Sequence, residues 1–382
     1  MKKKVVVFNS SYLKGSETFI YSQLKGLEKA FDVSFVTQDL MNLEKFPNDK
    51  ITRIKSSFDQ NLIKIFNPFY FGKTYSFRLE KVLSELSPDA IHVHFGTNAM
   101  RLAHVVKKLR IPMLITFHGA DASKRLSDAR YKGMLRKELA NFDFICVSKA
   151  IAQNLKNIGI HVTKEHVHYI GVDTNQFSFH KRALIDSKVR RNEKVKFIQV
   201  ARFVEKKGHF FTLHAFKDFL KEVINPERFI LQFVGSGPLE KKMKELACSL
   251  ELIENVEFLG VKDHDDVKMA LENADAFLQH SVTPSSGDTE GLPIGIMEGM
   301  STGLPVISTY HSGIPELIED SQNGYLVEER DIKTYSKKMV DLIHTDSSSL
   351  GKKARKTIED MFNLKVQNKK LVEIIDNLYI KY

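Results

Sequence analysis

The feature that most constrains this fold is an alternation that runs through the chain twice. Short apolar runs rich in β-branched residues occur at Val5–Phe8, Val33–Thr37, Ala90–His94, Met113–Phe117, Phe144–Val147 and His166–Ile170. Stretches with helical spacing lie between them, at Ser16–Ala30, Arg101–Leu109 and Lys149–Ile158. Ser16 and Glu17 suit the opening of the first of these helices, as a cap and a first-turn acid. Continuously apolar strands separated by helices predict a parallel sheet covered on both faces. The polar, charged stretch Thr174–Asn192 interrupts the pattern and reads as a linker. Strands then resume at Val195–Val200, Phe229–Val234, Val256–Leu259, Ala276–Leu278, Pro305–Ser308 and Tyr325–Val327. The expected fold class is α/β, with two doubly wound Rossmann-like domains in series. The domains are placed at 1–173 and 195–364, with a linker at 174–194. A helical stretch at 365–382 is expected to cross back onto the first domain. Ligands of such sheets bind beyond the carboxyl ends of the strands, so the active site is expected in a cleft between the two domains.

Charge divides the chain as sharply as pattern repeats it. The formal net charge is +10, but 31 Lys and Arg face 17 Asp and Glu up to residue 190, against 26 and 30 beyond it. A first half at +14 suits contact with a polyanion or the anionic surface of a membrane. Within it, Phe66, Phe69, Tyr70, Phe71, Tyr75 and Phe77 interleave with Lys64, Lys73, Arg78 and Lys81. That segment reads either as a stretch at a lipid interface or as a surface helix packing its rings into its own domain. No apolar run approaches the ~18 residues of a spanning helix. The lysines at positions 2–4 and Val5–Phe8 imitate a signal peptide, but Asn9-Ser10-Ser11 ends the apolar run too early, and a first strand fits better. Two cysteines exclude a disulfide scaffold and fit a reducing, cytoplasmic setting. The expected location is therefore cytoplasmic, with peripheral contact at the inner face of a membrane.

Three groups of residues in the second half carry chemistry. Arg202 and Lys207 lie just past the strand ending at Val200, with Gly208 next to a helix start, which suits a diphosphate. Gly235-Ser236-Gly237-Pro238 follows the next strand, where glycine admits a ligand to the backbone. It lacks the third glycine of a dinucleotide fingerprint. Glu290 and Glu298 stand eight positions apart across Gly291-Leu292-Pro293, the first in a loop and the second one turn into a helix. Carboxylates accept hydrogen bonds from sugar hydroxyls, and a helix start offers N–H groups to phosphate. One ligand carrying sugar, diphosphate and ribose would use all three groups.

These pieces, with Pro305-Val306-Ile307 and Gly313-Ile314-Pro315-Glu316 leading to Asn323-Gly324, resemble the donor domain of retaining, nucleotide-sugar-dependent glycosyltransferases of family four, which have the GT-B fold. The resemblance implies that Arg202 and Lys207 hold the donor diphosphate and neutralise its departure. It implies that Glu298 binds ribose hydroxyls, that Glu290 contacts the transferred sugar, with a role as covalent nucleophile the less favoured option, and that backbone near Gly291 and Leu292 approaches phosphate or sugar. Val261 would lie near the base and Gly235 near the donor. In the first half the Ser-Glu-Thr-Phe-Ile run, Ser16 to Ile20, resembles members that build bacterial exopolysaccharide and capsule, with Gly15 standing where a phosphate-touching glycine pair is usual. A UDP-sugar is the donor the resemblance favours, and the acceptor is a saccharide or lipid-linked hydroxyl. The nucleotide sugar is a substrate, so no cofactor is expected.

His118, at the end of the strand Met113–Phe117 and beside Gly119, corresponds in the resemblance to a histidine near the reacting sugar, with Asp121 as its neighbour on the acceptor side. His92 and His94 share a strand face and imitate a metal pair, but further ligands at suitable spacing are lacking. His94, last in its strand, is instead assigned to the acceptor side. Asp263-His264-Asp265-Asp266 reads as helix capping. No metal is expected, because Arg202 and Lys207 carry the leaving-group charge. The alternative reading, a nonenzymatic protein binding polyanions or nucleotide sugars, rests on the charge asymmetry. No nucleic-acid module is visible, and no nucleic-acid partner is expected. An epimerase or a phosphorylase-like enzyme would suit the same fold, but no cofactor lysine for the latter is identifiable.

Overall fold

The computed structural model describes residues 2–15, 17–55, 73–139, 141–163 and 166–378. The expected Ser16 cap and the Lys64, Phe66, Phe69, Tyr70 and Phe71 part of the basic aromatic segment lie outside these residues. The chain divides into two compact units, Met1–Gly171 with Leu364–Tyr382, and Val172–Asn363.

In the first unit, strands β1 (Lys4–Phe8), β2 (Asp32–Thr37), β3 (Ile51–Arg53), β4 (Ala90–His94), β5 (Met113–Phe117) and β6 (Asp143–Cys146) form one parallel sheet in the order β3-β2-β1-β4-β5-β6. Strands β4 and β5 are buried along their whole length, so residues on both faces are apolar, or polar and bonded inside. The chain order reverses between β1 and β4, which opens a crevice at their carboxyl ends. Helices α1 (Thr18–Ala30), α2 (Lys73–Leu86), α3 (Gly96–Leu109), α4 (Ala129–Met134) and α5 (Lys149–Asn157) complete the described framework. Helix α1 buries Ile20, Leu24 and Leu27, one stripe at helical spacing. On α2, Tyr75 is buried while Phe77 is 69% exposed, so the described end of the aromatic segment is only partly packed.

The second unit repeats the plan with α6 (Ile185–Arg190), β7 (Val195–Val200), α7 (His209–Glu222), β8 (Phe229–Val234), α8 (Glu240–Ser249), β9 (Val256–Gly260), α9 (His264–Glu272), β10 (Ala276–Leu278), α10 (Ile294–Ser301), β11 (Val306–Thr309), β12 (Tyr325–Val327), α11 (Ile332–His344) and α12 (Ser347–Met361). Its parallel sheet runs β12-β11-β10-β7-β8-β9, with the reversal between β7 and β10. Phenylalanines 197, 216, 219, 229 and 233 fill the core on one face of the sheet. Asp263 caps α9 by accepting the Asp266 N–H, the capping role expected of that acidic run.

Three local expectations are corrected. His166–Ile170 makes only a bridge from Val167 to Cys146, because His168 turns its ring to the carbonyl of Gln367 and docks the segment on α13 (Leu364–Asp376). The stretch 174–194 is not a linker but part of the second unit. Phe177 and Ile185 are buried, Lys188 pairs with Asp275 at 2.8 Å, and Arg182 donates to the carbonyls of Leu271, Ala274 and Thr302. Of its polar side chains, Arg182 and Lys188 are bonded into the unit, while Lys181, Arg190, Arg191 and Lys194 are exposed. Helix α3 starts five residues before Arg101, at Gly96, whose N–H is taken by the carboxylate of Asp121 from the loop after the neighbouring strand β5. Helix α13 belongs to the first unit, with Leu371 and Ile375 in the same core as Ile20, Leu24 and Leu27. No helix among the described residues is long and apolar enough to cross a membrane.

Candidate active site

In the second unit the chemistry gathers at the carboxyl ends of β7, β8 and β10. The loop after β7 is pinned by the turn after β8, with the Phe203 N–H on the Ser236 carbonyl at 3.0 Å. Gly235, at φ +133°, has the Ala201 carbonyl where a Cβ would be. The glycine therefore lets two backbone segments meet. Gly208, left-handed at φ +66°, faces the His280 carbonyl just as closely and starts α7. This packing fixes the loop that carries Arg202 and Lys207. Arg202 is exposed, and among the described residues its side chain has no hydrogen bond or ion pair.

Lys207 reaches Glu290, Nζ to Oε1, at 3.0 Å, with both side chains mostly covered. Burial alone would raise the pKa of Glu290, but Lys207 and Lys206 together hold it below the ordinary carboxylate value. Lys206 pairs with Asp288 at 3.1 Å, so two consecutive lysines grip the segment before α10. Helix α10 rests on β7 because Gly295 leaves room for the Val200 carbonyl. Pro293 caps its start without a side-chain hydrogen bond, which leaves first-turn amides for an anion. One turn on, Glu298 is buried, and among the described residues no group bonds its carboxyl. Burial lifts its pKa to about 8. A buried acid without a partner stands ready for hydroxyl donors. Leu292 is buried and Gly291 half-buried in the same segment, whereas Val261 is 69% exposed just past β9.

Sequence reasoning did not find a further group beside Glu290. The N–H of Glu290 donates to His311 Nε2 at 3.2 Å, and Ser312 Oγ donates to its carbonyl at 2.6 Å. His311 Nδ1 lies 2.6 Å from Glu329 Oε1, and Thr283 donates its N–H and hydroxyl to the same carboxylate. The one available signal was position, since His311-Ser312 directly precedes Gly313-Ile314-Pro315-Glu316.

In the first unit, His118 ends in a buried group of neutral rings. Its Nε2 lies 3.1 Å from His94 Nδ1, and the His94 ring lies tilted against that of His92, whose Nε2 meets Thr116 Oγ1 at 2.8 Å. Burial, with His92 as a further like-charge neighbour, pushes the His118 pKa down to about 3, and burial also drives His92 and His94 well below the ordinary value. Asp121 is brought to His118, but its carboxylate is committed to the N–H groups of Gly96 and His118, at 2.9 and 3.1 Å. It ties together two loops at strand ends, and burial raises its pKa to about 6. His94 is likewise buried behind His118. Gly15 is exposed, with open space where a Cβ would be. Glu17, another residue the sequence reading left out of the site, accepts from Asn9 Nδ2 and the Lys14 N–H and holds the loop carrying Gly15. Among the described residues no group of three or more His, Cys, Asp and Glu is placed to hold a metal ion.

Residues 181–360 match the family profile described as "Glycosyl transferases group 1", and residues 13–176 match that of "Glycosyltransferase Family 4". The colanic acid biosynthesis glycosyltransferase WcaL of Escherichia coli K12 is 31% identical over 304 residues, covering 78% of this chain and 73% of that protein. The chain belongs to the group 1, family 4 glycosyltransferases. The amylovoran biosynthesis glycosyltransferase AmsK of Erwinia amylovora is 28% identical over 98% of this chain and 100% of its own. Anabaena HepE, solved in complex with UDP and glucose, superposes with a TM-score of 0.76 at 17% identity, over 99% of this chain and 100% of that one. A glycosyltransferase from Rickettsia africae superposes with the same score at 18% identity, over 98% of both chains. The fold of this glycosyltransferase is therefore GT-B, and its group 1 domain carries Arg202 and Lys207 in the loop after β7, Glu290 just before α10 and Glu298 within it.

Proposed function

We propose that this glycosyltransferase moves a sugar from a UDP-sugar, with retention at the anomeric carbon, to a hydroxyl of a saccharide or lipid-linked acceptor in the building of an exopolysaccharide. The observation that carries the donor assignment is the contrast of the two glutamates. Glu290 is paired to a lysine, and Glu298 is buried, unpaired and held near neutrality by its surroundings. The names of the two relatives support the polysaccharide context, and the UDP seen with HepE supports the base.

In this reading Arg202 and Lys207 take the diphosphate and neutralise the charge that grows on it as the glycosidic bond breaks. The start of α10 adds N–H groups to the same anion. Glu298 accepts the ribose hydroxyls. Lys207 turning to phosphate releases the Glu290 carboxylate to the hydroxyls of the sugar. The departing phosphate takes the acceptor proton, and His118, neutral at any physiological pH, contacts the reacting sugar as a hydrogen-bonding group rather than a cation. Charge compensation by side chains makes the reaction independent of added metal. The basic first half would favour an acceptor held at an anionic membrane surface. Incubation with labelled UDP-, GDP- and ADP-sugars, with and without acceptor and with a chelator, tests the reading. UDP-sugar consumption that survives the chelator is expected, and failure to consume any of the three removes it.

A further inference from the structure

The backbone of Glu290 is held from both sides, and the holding group reaches well beyond the donor motif. Strands β11 and β12 are parallel neighbours, with Thr309 opposite Val327. Two residues beyond each of these positions stand His311 and Glu329, which brings a histidine and a carboxylate from separate loops to 2.6 Å. The bonding pattern assigns the ring its tautomer. Because Nε2 accepts the Glu290 N–H, a neutral ring carries its proton on Nδ1, and that proton goes to Glu329. Glu329 is fixed in turn by the N–H and the hydroxyl of Thr283, the latter at 3.0 Å. Burial opposes the charge on Glu329, but the Thr283 and His311 contacts bring its pKa below the ordinary value. Ser312 completes the grip through its hydroxyl on the Glu290 carbonyl, and it does so at φ +47°, a left-handed conformation that a residue with a Cβ adopts at some strain. Neither His311 nor Glu329 touches Lys207, Arg202 or Glu298 through any of these bonds.

We infer that His311 is a positioning residue for sugar transfer: oriented by Glu329, it locks the Glu290 peptide so that the Glu290 carboxylate faces Lys207 and the sugar that replaces it. This rests on the reading above, in which Glu290 meets the transferred sugar. The geometry distinguishes two isosteres of the ring. An Asn amide reaches as far as Nδ1 and can still meet Glu329, but it offers nothing at Nε2. A Gln amide reaches Nε2 and can accept the Glu290 N–H.

The test uses the full chain with His311→Asn, His311→Gln and, should the first not fold, Ser312→Gly, which removes the other half of the grip while relieving the left-handed strain. Two readouts are taken: hydrogen exchange at the Glu290 amide, and the separate kcat and KM for the nucleotide sugar that the wild type consumes. His311→Asn is expected to speed exchange at Glu290 and to lower kcat by about 30-fold or more with KM within about threefold, because donor affinity resides in Arg202, Lys207 and Glu298. His311→Gln is expected to restore both to within about fivefold of wild type. Ser312→Gly is expected to follow His311→Asn in direction. Unchanged exchange in His311→Asn and Ser312→Gly overturns the lock. Faster exchange with kcat intact, or equal losses in the two isosteres, overturns its role in positioning. A wild type that consumes no nucleotide sugar defeats the transfer reading instead, and the lock is then judged on exchange alone.

Discussion

The two units bury polar groups at equivalent strand ends in opposite ways. In the second, charge meets charge: Lys207 on Glu290, Lys206 on Asp288, and Glu329 within a net of donors. In the first, three imidazoles lie against one another and stay neutral, and the one carboxylate among them, Asp121, is used up by backbone amides. An ion pair can change partners when an anion arrives. A neutral cluster has no charge to exchange, and it can shape a surface without attracting ions. Under the proposed function, the difference teaches that the second unit trades its internal counter-ions for those of a ligand while the first holds a polar wall still.

The contrast breaks most visibly at Lys207. Lys207→Ala strands a buried carboxylate, and it is expected to lower transfer by roughly a thousandfold and to destabilise the second unit by about 3–5 kcal/mol. The double variant Lys207→Met with Glu290→Gln should recover the melting temperature but not the transfer. Recovery of transfer would mean the pair is scaffolding.

Acid should separate the units next. His118, with a folded pKa of about 3, refuses the proton that its unfolded counterpart takes below pH ~6.5, and His92 and His94 act in the same direction. The unfolded chain then binds more protons, so below that pH stability drops as the pH is lowered, by about 1.4 kcal/mol per unit for each such ring. Asp121 works the other way between about 6 and its ordinary value, but it is one group against three. Calorimetry from pH 7 to pH 5 should show the first unit losing stability, and a His92→Gln variant losing less. A flat profile would mean that the rings take up protons in place.

A third measurement sharpens the view of Glu298. With a folded pKa of about 8 it is mostly protonated at pH 6, and ribose hydroxyls favour the ionised form. UDP affinity should therefore rise with pH, by up to about 50-fold between pH 6 and pH 8, and Glu298→Gln should flatten the rise while stabilising the free protein at neutral pH. The smallest effect is expected at Asp121→Asn. One of its two backbone amides would then face an amide NH2, for about 1–3 kcal/mol of stability and little change in donor affinity by calorimetry.

Much of this was legible because buried parallel strands are continuous apolar runs. Val195–Val200, Phe229–Val234 and Ala90–His94 need no knowledge of their neighbours to be read as strands. Ile51–Arg53 escaped because three half-exposed residues at a sheet edge carry no such run. The 174–194 stretch escaped because its buried residues are few and one arginine, Arg182, ties it to distant carbonyls. Arg202, Lys207, Glu290 and Glu298 stand in short segments, and it is the family resemblance of those segments that gives them their expected roles. The His311 and Glu329 pair was not legible, since it exists only once β11 and β12 are aligned in register. Asp121 was found as a residue but not for its task, because its partner Gly96 lies on another strand's loop.

Helix α13 carries a consequence for how the protein is made. Its Leu371 and Ile375 complete a core begun by Leu24 and Leu27, and Asn368 lies against Gly26. On the ribosome those residues emerge only after the whole of Val172–Asn363, so the leading half of the polypeptide waits with an open seam on α1 while the trailing half is synthesised and can already close its own sheet. A released chain truncated after residue 363 should thus be protease-sensitive in its earlier portion and resistant in its later one, the reverse of the order in which the two were translated.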